Sequence, residues 1–129
     1  MIIEVPIADV VDKYTILCIK EKRISDIPKL ENVVRELQYI KQILNDALPL
    51  LSTYIEQLQE VNEKLWNIED KLRIKESNLE FDKEFIELAR GVYFTNDKRA
   101  EIKLKINYSF GSKFVEEKQY SLYNKESNQ

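Results

Sequence analysis

The fold class this sequence predicts is all-α: an antiparallel bundle of about four helices, closed by a long hairpin between the third and the fourth. Three observations predict it. Glycine occurs twice and proline three times in 129 residues, while Leu, Ile, Glu and Lys dominate, which is the composition of long helices rather than of sheets. Apolar residues recur three and four apart in four successive segments. A proline, a glycine or a capping acid bounds each of them. A chain of this length can bury a core without disulfides or metals, so residues 1–123 are expected to form a single helical domain. The last six residues, NKESNQ (124–129), are expected to be a disordered tail.

Pro6 suits the first turn of a helix, and the first helix is expected over Ile7 to Arg23. Its stripe is Ile7, Val10/Val11, Tyr14, Leu17/Cys18 and Ile24, with Asp12 and Lys13 expected in solvent. Ser25 and Asp26 are N-cap residues and Pro28 fits only a first turn, so a second helix should start there. It carries the heptad Leu30, Val33, Leu37, Ile40, Leu44 and Ala47, and should end at Leu48 before Pro49.

The third helix, Leu50 to Ser77, should be roughly 42 Å long at about 1.5 Å per residue. Its seam is Leu51, Tyr54, Leu58, Val61, Leu65, Ile68 and Leu72. Beside that seam Asn62, Trp66, Glu69 and Arg73 make a second, polar ridge. The linker Asn78 to Asp82 should close a hairpin, with Asp82 as N-cap and Phe81 stapled onto Ile86. Facing residues of the two helices then sum to about 156 or 157. This sets Trp66 opposite Gly91, Asn62 near Thr95 and Asn96, and Glu69 and Asp70 near Glu87 and Arg90. Gly111 should end the fourth helix as a left-handed C′ residue. Phe114 to Tyr123 are apolar enough to be expected folded back onto the bundle.

The fourth helix holds the main anomaly. Phe85, Leu88, Val92, Thr95, Arg99, Ile102 and Ile106 form one stripe, and two of its members are polar. Thr95 and Arg99, with Asn96 and Asp97 between them, either meet polar partners inside the fold or face a ligand. The candidate patch is Asn62, Trp66, Glu69, Asp70, Arg73, Asn96, Asp97, Arg99 and Lys103. A same-chain carboxylate such as Glu56 or Glu60 is the expected partner of a buried Arg99.

Composition narrows the chemistry. Histidine is absent, which removes the commonest general acid/base and zinc ligand. A net charge of −3 with both signs interspersed gives no field that would attract nucleic acid. No segment has the length and apolarity of a membrane span, and no signal peptide opens the chain, so a cytoplasmic protein is expected. The single cysteine, Cys18, sits in the apolar run ILCI and reads as a small buried hydrophobe. No metal and no cofactor are expected.

VVDKYTIL near the start, VNEKLWNIEDKLR in the centre, and EFIELARGVYFTNDKRAEIKLKIN with the later GS and VEEKQY resemble an uncharacterised family of short bacterial and phage proteins, a domain of unknown function, over nearly the whole chain. The pattern N-x-x-L-W-x-x-E-D-x-x-R from Asn62 to Arg73, followed by Asn96–Asp97, is similar to a second bacterial family of unknown function. The resemblance implies genes often placed near those for cell-surface polysaccharide. It implies that Asn62, Trp66, Glu69, Asp70, Arg73, Asn96, Asp97 and Arg99 are signature positions, and it supplies no activity for them. Pro6 departs from the pattern, where a capping Ser is expected.

Three functional readings stay open. The first is an interaction or accessory protein, whose polar ridge is an internal network or the seam of a homodimer along the third and fourth helices. The second is a site for an anionic small molecule, a sugar nucleotide or a carboxylate, gripped by Arg99, Lys103 and Arg35 or Arg73. The third is a Mg²⁺-dependent all-α pyrophosphohydrolase using Glu60, Glu63 and Asp97. The residues lean away from an enzyme.

Overall fold

The structure is a computed structural model that describes residues 1–111. The expected fold-back of Phe114 to Tyr123, the domain end at residue 123 and the tail 124–129 lie outside the described residues. Within them stand four α-helices and no strand: α1 (Ile7–Arg23), α2 (Ile27–Leu44), α3 (Ser52–Ser77) and α4 (Lys83–Ser109).

Local chemistry explains each boundary. Asp26 caps α2 by accepting from the Lys29 N–H at 3.1 Å, with Pro28 in the first turn. That helix ends at Leu44, four residues before the expected Leu48. Asn45, at φ +34° and ψ −109°, leaves helical geometry and breaks the ladder, and single 3₁₀ turns at Asn45–Ala47 and Pro49–Leu51 lead into α3. Asp82 caps α4 through the Phe85 N–H at 2.9 Å. The Phe81 ring meets Phe85 edge-on at 5.3 Å, and both Phe81 and Ile86, the pair expected to form a staple, are more than half exposed.

α1 is the central helix. One side of it packs on α2 and another on the α3–α4 hairpin, while among the described residues the α2 backbone comes close to neither hairpin helix. A helix flanked twice needs two buried faces. The stripe containing Val11 and Leu17 joins Val33, Leu37, Ile40 and Leu44 of α2 in the core. The second face is Ala8, Asp12, Thr15 and Ile19, all buried and spaced four, three and four apart. Asp12 is therefore inside, contrary to its expected place in solvent, because the hairpin covers the side of α1 opposite α2.

The hairpin packs along Leu58, Val61 and Ile68 against Phe94, Ile102 and Ile106, all buried. At Gly91 the side chain of α3 closes on the backbone of α4: a β-carbon there would stand 3.2 Å from Ile68 Cδ1. Ile68, and not the expected Trp66, fills the room the glycine leaves. α3 closes with Glu80 N–H on Lys75 C=O (2.9 Å) and Leu79 N–H on Glu76 C=O (3.1 Å), the pairing of a Schellman motif. Leu79 holds its left-handed position at φ +55°, and Gly111 stands past the end of α4 at φ +62°.

Candidate functional site

The polar anomaly of α4 is resolved by α1. Arg99 donates from Nε to Asp12 Oδ1 at 3.0 Å and from Nη2 to Asp12 Oδ2, a two-pronged pair in the geometry that suits guanidinium and carboxylate. Asn62 of α3 donates through its amide nitrogen to the same Asp12 Oδ1 (2.9 Å) and to Thr15 Oγ1 (2.9 Å). Thr15 passes its own hydroxyl proton to the Asp12 carbonyl at 2.7 Å. Three helices thus meet on one carboxylate. The Asp12 side chain is 7% exposed and that of Arg99 29%, so the pair lies at the boundary between core and cleft. The expected partners Glu56 and Glu60 are both exposed, and Arg99 pairs with Asp12 in their stead.

A second tie lies about one turn toward the start of α1. Lys103 Nζ stands 3.1 Å from Asp9 Oδ1, and the buried Asn107 accepts the Ala8 N–H at 2.9 Å. Pro6 at the α1 N-cap offers no side-chain acceptor, so α4 provides one from across the bundle.

Above the Asp12–Arg99 pair opens a cleft of about 480 Å³, walled by Ile16, Ile19 and Leu65 and by the polar side chains Asn62, Trp66, Glu69, Asp70, Arg73, Asn96 and Arg99. Those seven polar and aromatic residues are seven of the nine candidates. The other two are elsewhere: Lys103 is held by Asp9, and Asp97 lies outside the lining. Glu69 and Asp70 line the cleft, and Arg90 pairs with Glu87 on its own helix at 3.4 Å. Trp66 is half-buried, with the Arg23 guanidinium 5.7 Å from its ring and Arg23 Nη1 anchored on Asn67 Oδ1 at 2.9 Å.

Electrostatically the cleft is mixed. Arg73 and Arg99 share it with Glu69 and Asp70, and because Asp12 already neutralises Arg99, one arginine is left against two acids. Arg35 is remote, donating to Asn32 at 3.1 Å on α2. Both Asn62 amide hydrogens are committed to the network, which leaves its carbonyl oxygen as the group it can offer a ligand. Among the described residues every buried side-chain nitrogen and oxygen has a hydrogen-bond partner. No three carboxylates or thiols there are grouped to hold a metal ion, so Glu60, Glu63 and Asp97 do not form the Mg²⁺ set of the third reading. Burial pushes the thiol of half-buried Cys18 up, as it does the Tyr14 hydroxyl beside it, which disfavours the thiolate a nucleophile needs.

Sequence reasoning missed Asp12, Thr15, Ile16 and Ile19, the contributions of α1. The signal was present as the second spacing on that helix, with an acid and a hydroxyl in it.

The model for a family described as Family of unknown function (DUF6165) matches residues 1–126. No curated protein matches the chain, and no solved structure does. No helix among the described residues is long and apolar enough to cross a membrane.

Proposed function

The chain belongs to this family of unknown function, and within it we propose that the protein is a small cytoplasmic interaction or accessory module, acting by presenting helical surfaces and not by chemistry of its own. The observation that carries this reading is the internal satisfaction of the polar patch: Arg99, the group best suited to gripping an anion, is already held by Asp12. A catalytic or anion-binding arginine would be poised with donors to give, whereas this one fixes the register of α1 on α4. Self-association into a homodimer belongs to the same proposal, as do a bacterial or phage origin and a gene setting near polysaccharide synthesis. Thermal unfolding with and without phosphate, sugar nucleotides and dicarboxylates tests the reading; no anion is expected to raise the melting temperature. Light scattering at micromolar concentration tests the dimer.

One observation favours a second reading. The cleft has the size of small-molecule sites, about 300–1,000 Å³, and gathers an aromatic ring with amides, acids and arginines. Its mixed charges, one arginine and two acids once Arg99 is neutralised by Asp12, suit a small zwitterion better than a polyanion. Stabilisation by amino acids or other zwitterions, lost in Trp66→Ala, would favour this reading over the first.

A further inference from the structure

The hairpin runs past the end of α1, and its tip is built unlike the rest of the surface. Arg23, the last residue of α1, reaches Trp66 and Asn67, so the turns of α3 after that point and the facing start of α4 form a two-helix arm. At its tip Ile74, Leu79, Phe81 and Ile86 are 61%, 74%, 55% and 54% exposed. Isolated apolar residues on a surface need no explanation, but four around one turn make a patch.

Leu79 makes the patch informative. It occupies the C′ position of the Schellman closure at φ +55°, where glycine serves the backbone without strain. A leucine there is strained by its β-carbon and gains little from burial. Its side chain serves neither turn nor core, and strain of this kind collects at functional positions.

Charge decides what covers it. From Ile74 to Ile86 the acids Glu76, Glu80, Asp82 and Glu84 stand against Lys75 and Lys83, a balance of −2, while Glu87 is held by Arg90 on its own helix. Lys75, moreover, is turned inward onto Asp82 and Glu80 at 2.9 and 3.4 Å. An apolar tip ringed by acids repels a second copy of itself, nucleic acid and anionic lipid alike. We infer that the hairpin tip, Ile74, Leu79, Phe81 and Ile86 within that acidic ring, is a docking surface for an amphipathic helix with basic flanks on another protein. Helix-on-helix packing fits the tip, which has no strand edge to extend. The inference rests on the interaction-module reading and names its partner's chemistry.

The test uses the full chain and a labelled synthetic peptide of about 18 residues with a leucine face and lysine flanks, against the same pattern carrying glutamate. Anisotropy titrations should show the lysine peptide binding and weakening as salt rises, and the glutamate peptide silent. Leu79→Gly, which relieves the turn and so folds, should weaken binding about tenfold or more, as should Phe81→Ser. Charge reversal at Glu80 and Glu84 should do likewise. Unchanged affinity in Leu79→Gly and Phe81→Ser overturns the assignment. So does self-association that Leu79→Gly abolishes, which would make a second copy the occupant, and so does docking of the tip onto phosphatidylglycerol vesicles. Absence of peptide binding with no anion stabilising the parent overturns the tip alone; anion-dependent stabilisation overturns the module reading beneath it.

Discussion

The side-chain amide oxygen Oδ1 of Asn107 on α4 caps the Ala8 N–H on α1, ninety-nine residues away in the chain, at 2.9 Å. Both residues are buried, so removing the acceptor strands a donor where water cannot replace it. Asn107→Ala should cost about 2–3 kcal/mol, the upper part of the range for such losses. Asp26→Ala, which deletes an exposed cap, should cost about 1 kcal/mol or less. Urea unfolding of both variants checks the order; equal losses would mean that the cross-bundle cap adds nothing.

Gly91 tests the hairpin register. A methyl at that position meets the end of the Ile68 side chain at 3.2 Å, which can give by a few tenths of an ångström, while alanine gains about 1 kcal/mol of helix propensity. Gly91→Ala should therefore be neutral or mildly stabilising in thermal melts. Gly91→Leu should overpack the seam and cost about 1–3 kcal/mol. Pairing Gly91→Leu with Ile68→Ala should recover part of that loss, and pairing it with Trp66→Ala should recover none.

The hairpin turn carries a pH dependence of known sign. The Lys75 ammonium, by hydrogen bonding, and the Phe85 N–H hold the Asp82 carboxyl below its usual value, and Asp82 in turn raises Lys75. A lowered carboxyl contributes stability above the unfolded value of about 3.9, lost as pH falls through the folded one. A raised lysine contributes stability below about 10.4, lost as pH rises through its folded value. Hydrogen exchange at the Phe85 amide should hold its protection across the neutral range and lose it in acid, and Lys75→Met should flatten that acid response. An acid response of the same size in Lys75→Met would remove the pair as its cause.

The reach of sequence reasoning follows from where each residue's partners lie. Helices α1, α3 and α4 could be located from spacing, proline and caps, because those signals are local; Asp82 and Gly111 mark the ends of α4 as expected. The stop at Asn45 was not legible, since the heptad runs on through Ala47 and nothing local announces a positive φ. The ridge from Asn62 to Arg73 and its meeting with Asn96 and Arg99 could be read because a hairpin has one dominant register. Asp12 could not, because its burial depends on α1 being enclosed from two sides, a tertiary fact. An acid beside an apolar stripe has the same local appearance whether a second layer covers it or water does.

The most direct measurement is the thermal unfolding of Arg99→Met beside the parent, each with and without the anion panel. The substitution keeps the packing of the stem and leaves the Asp12 carboxylate with Asn62 alone. Losing a buried pair costs about 3–5 kcal/mol; the partial exposure of Arg99 lowers this to about 2–4 kcal/mol, a fall in melting temperature on the order of 10 °C. The account predicts that fall, with no anion stabilising the parent. An Arg99→Met protein that melts with the parent, together with a parent-only rise on adding one anion class, would contradict it and make Arg99 a ligand-binding residue.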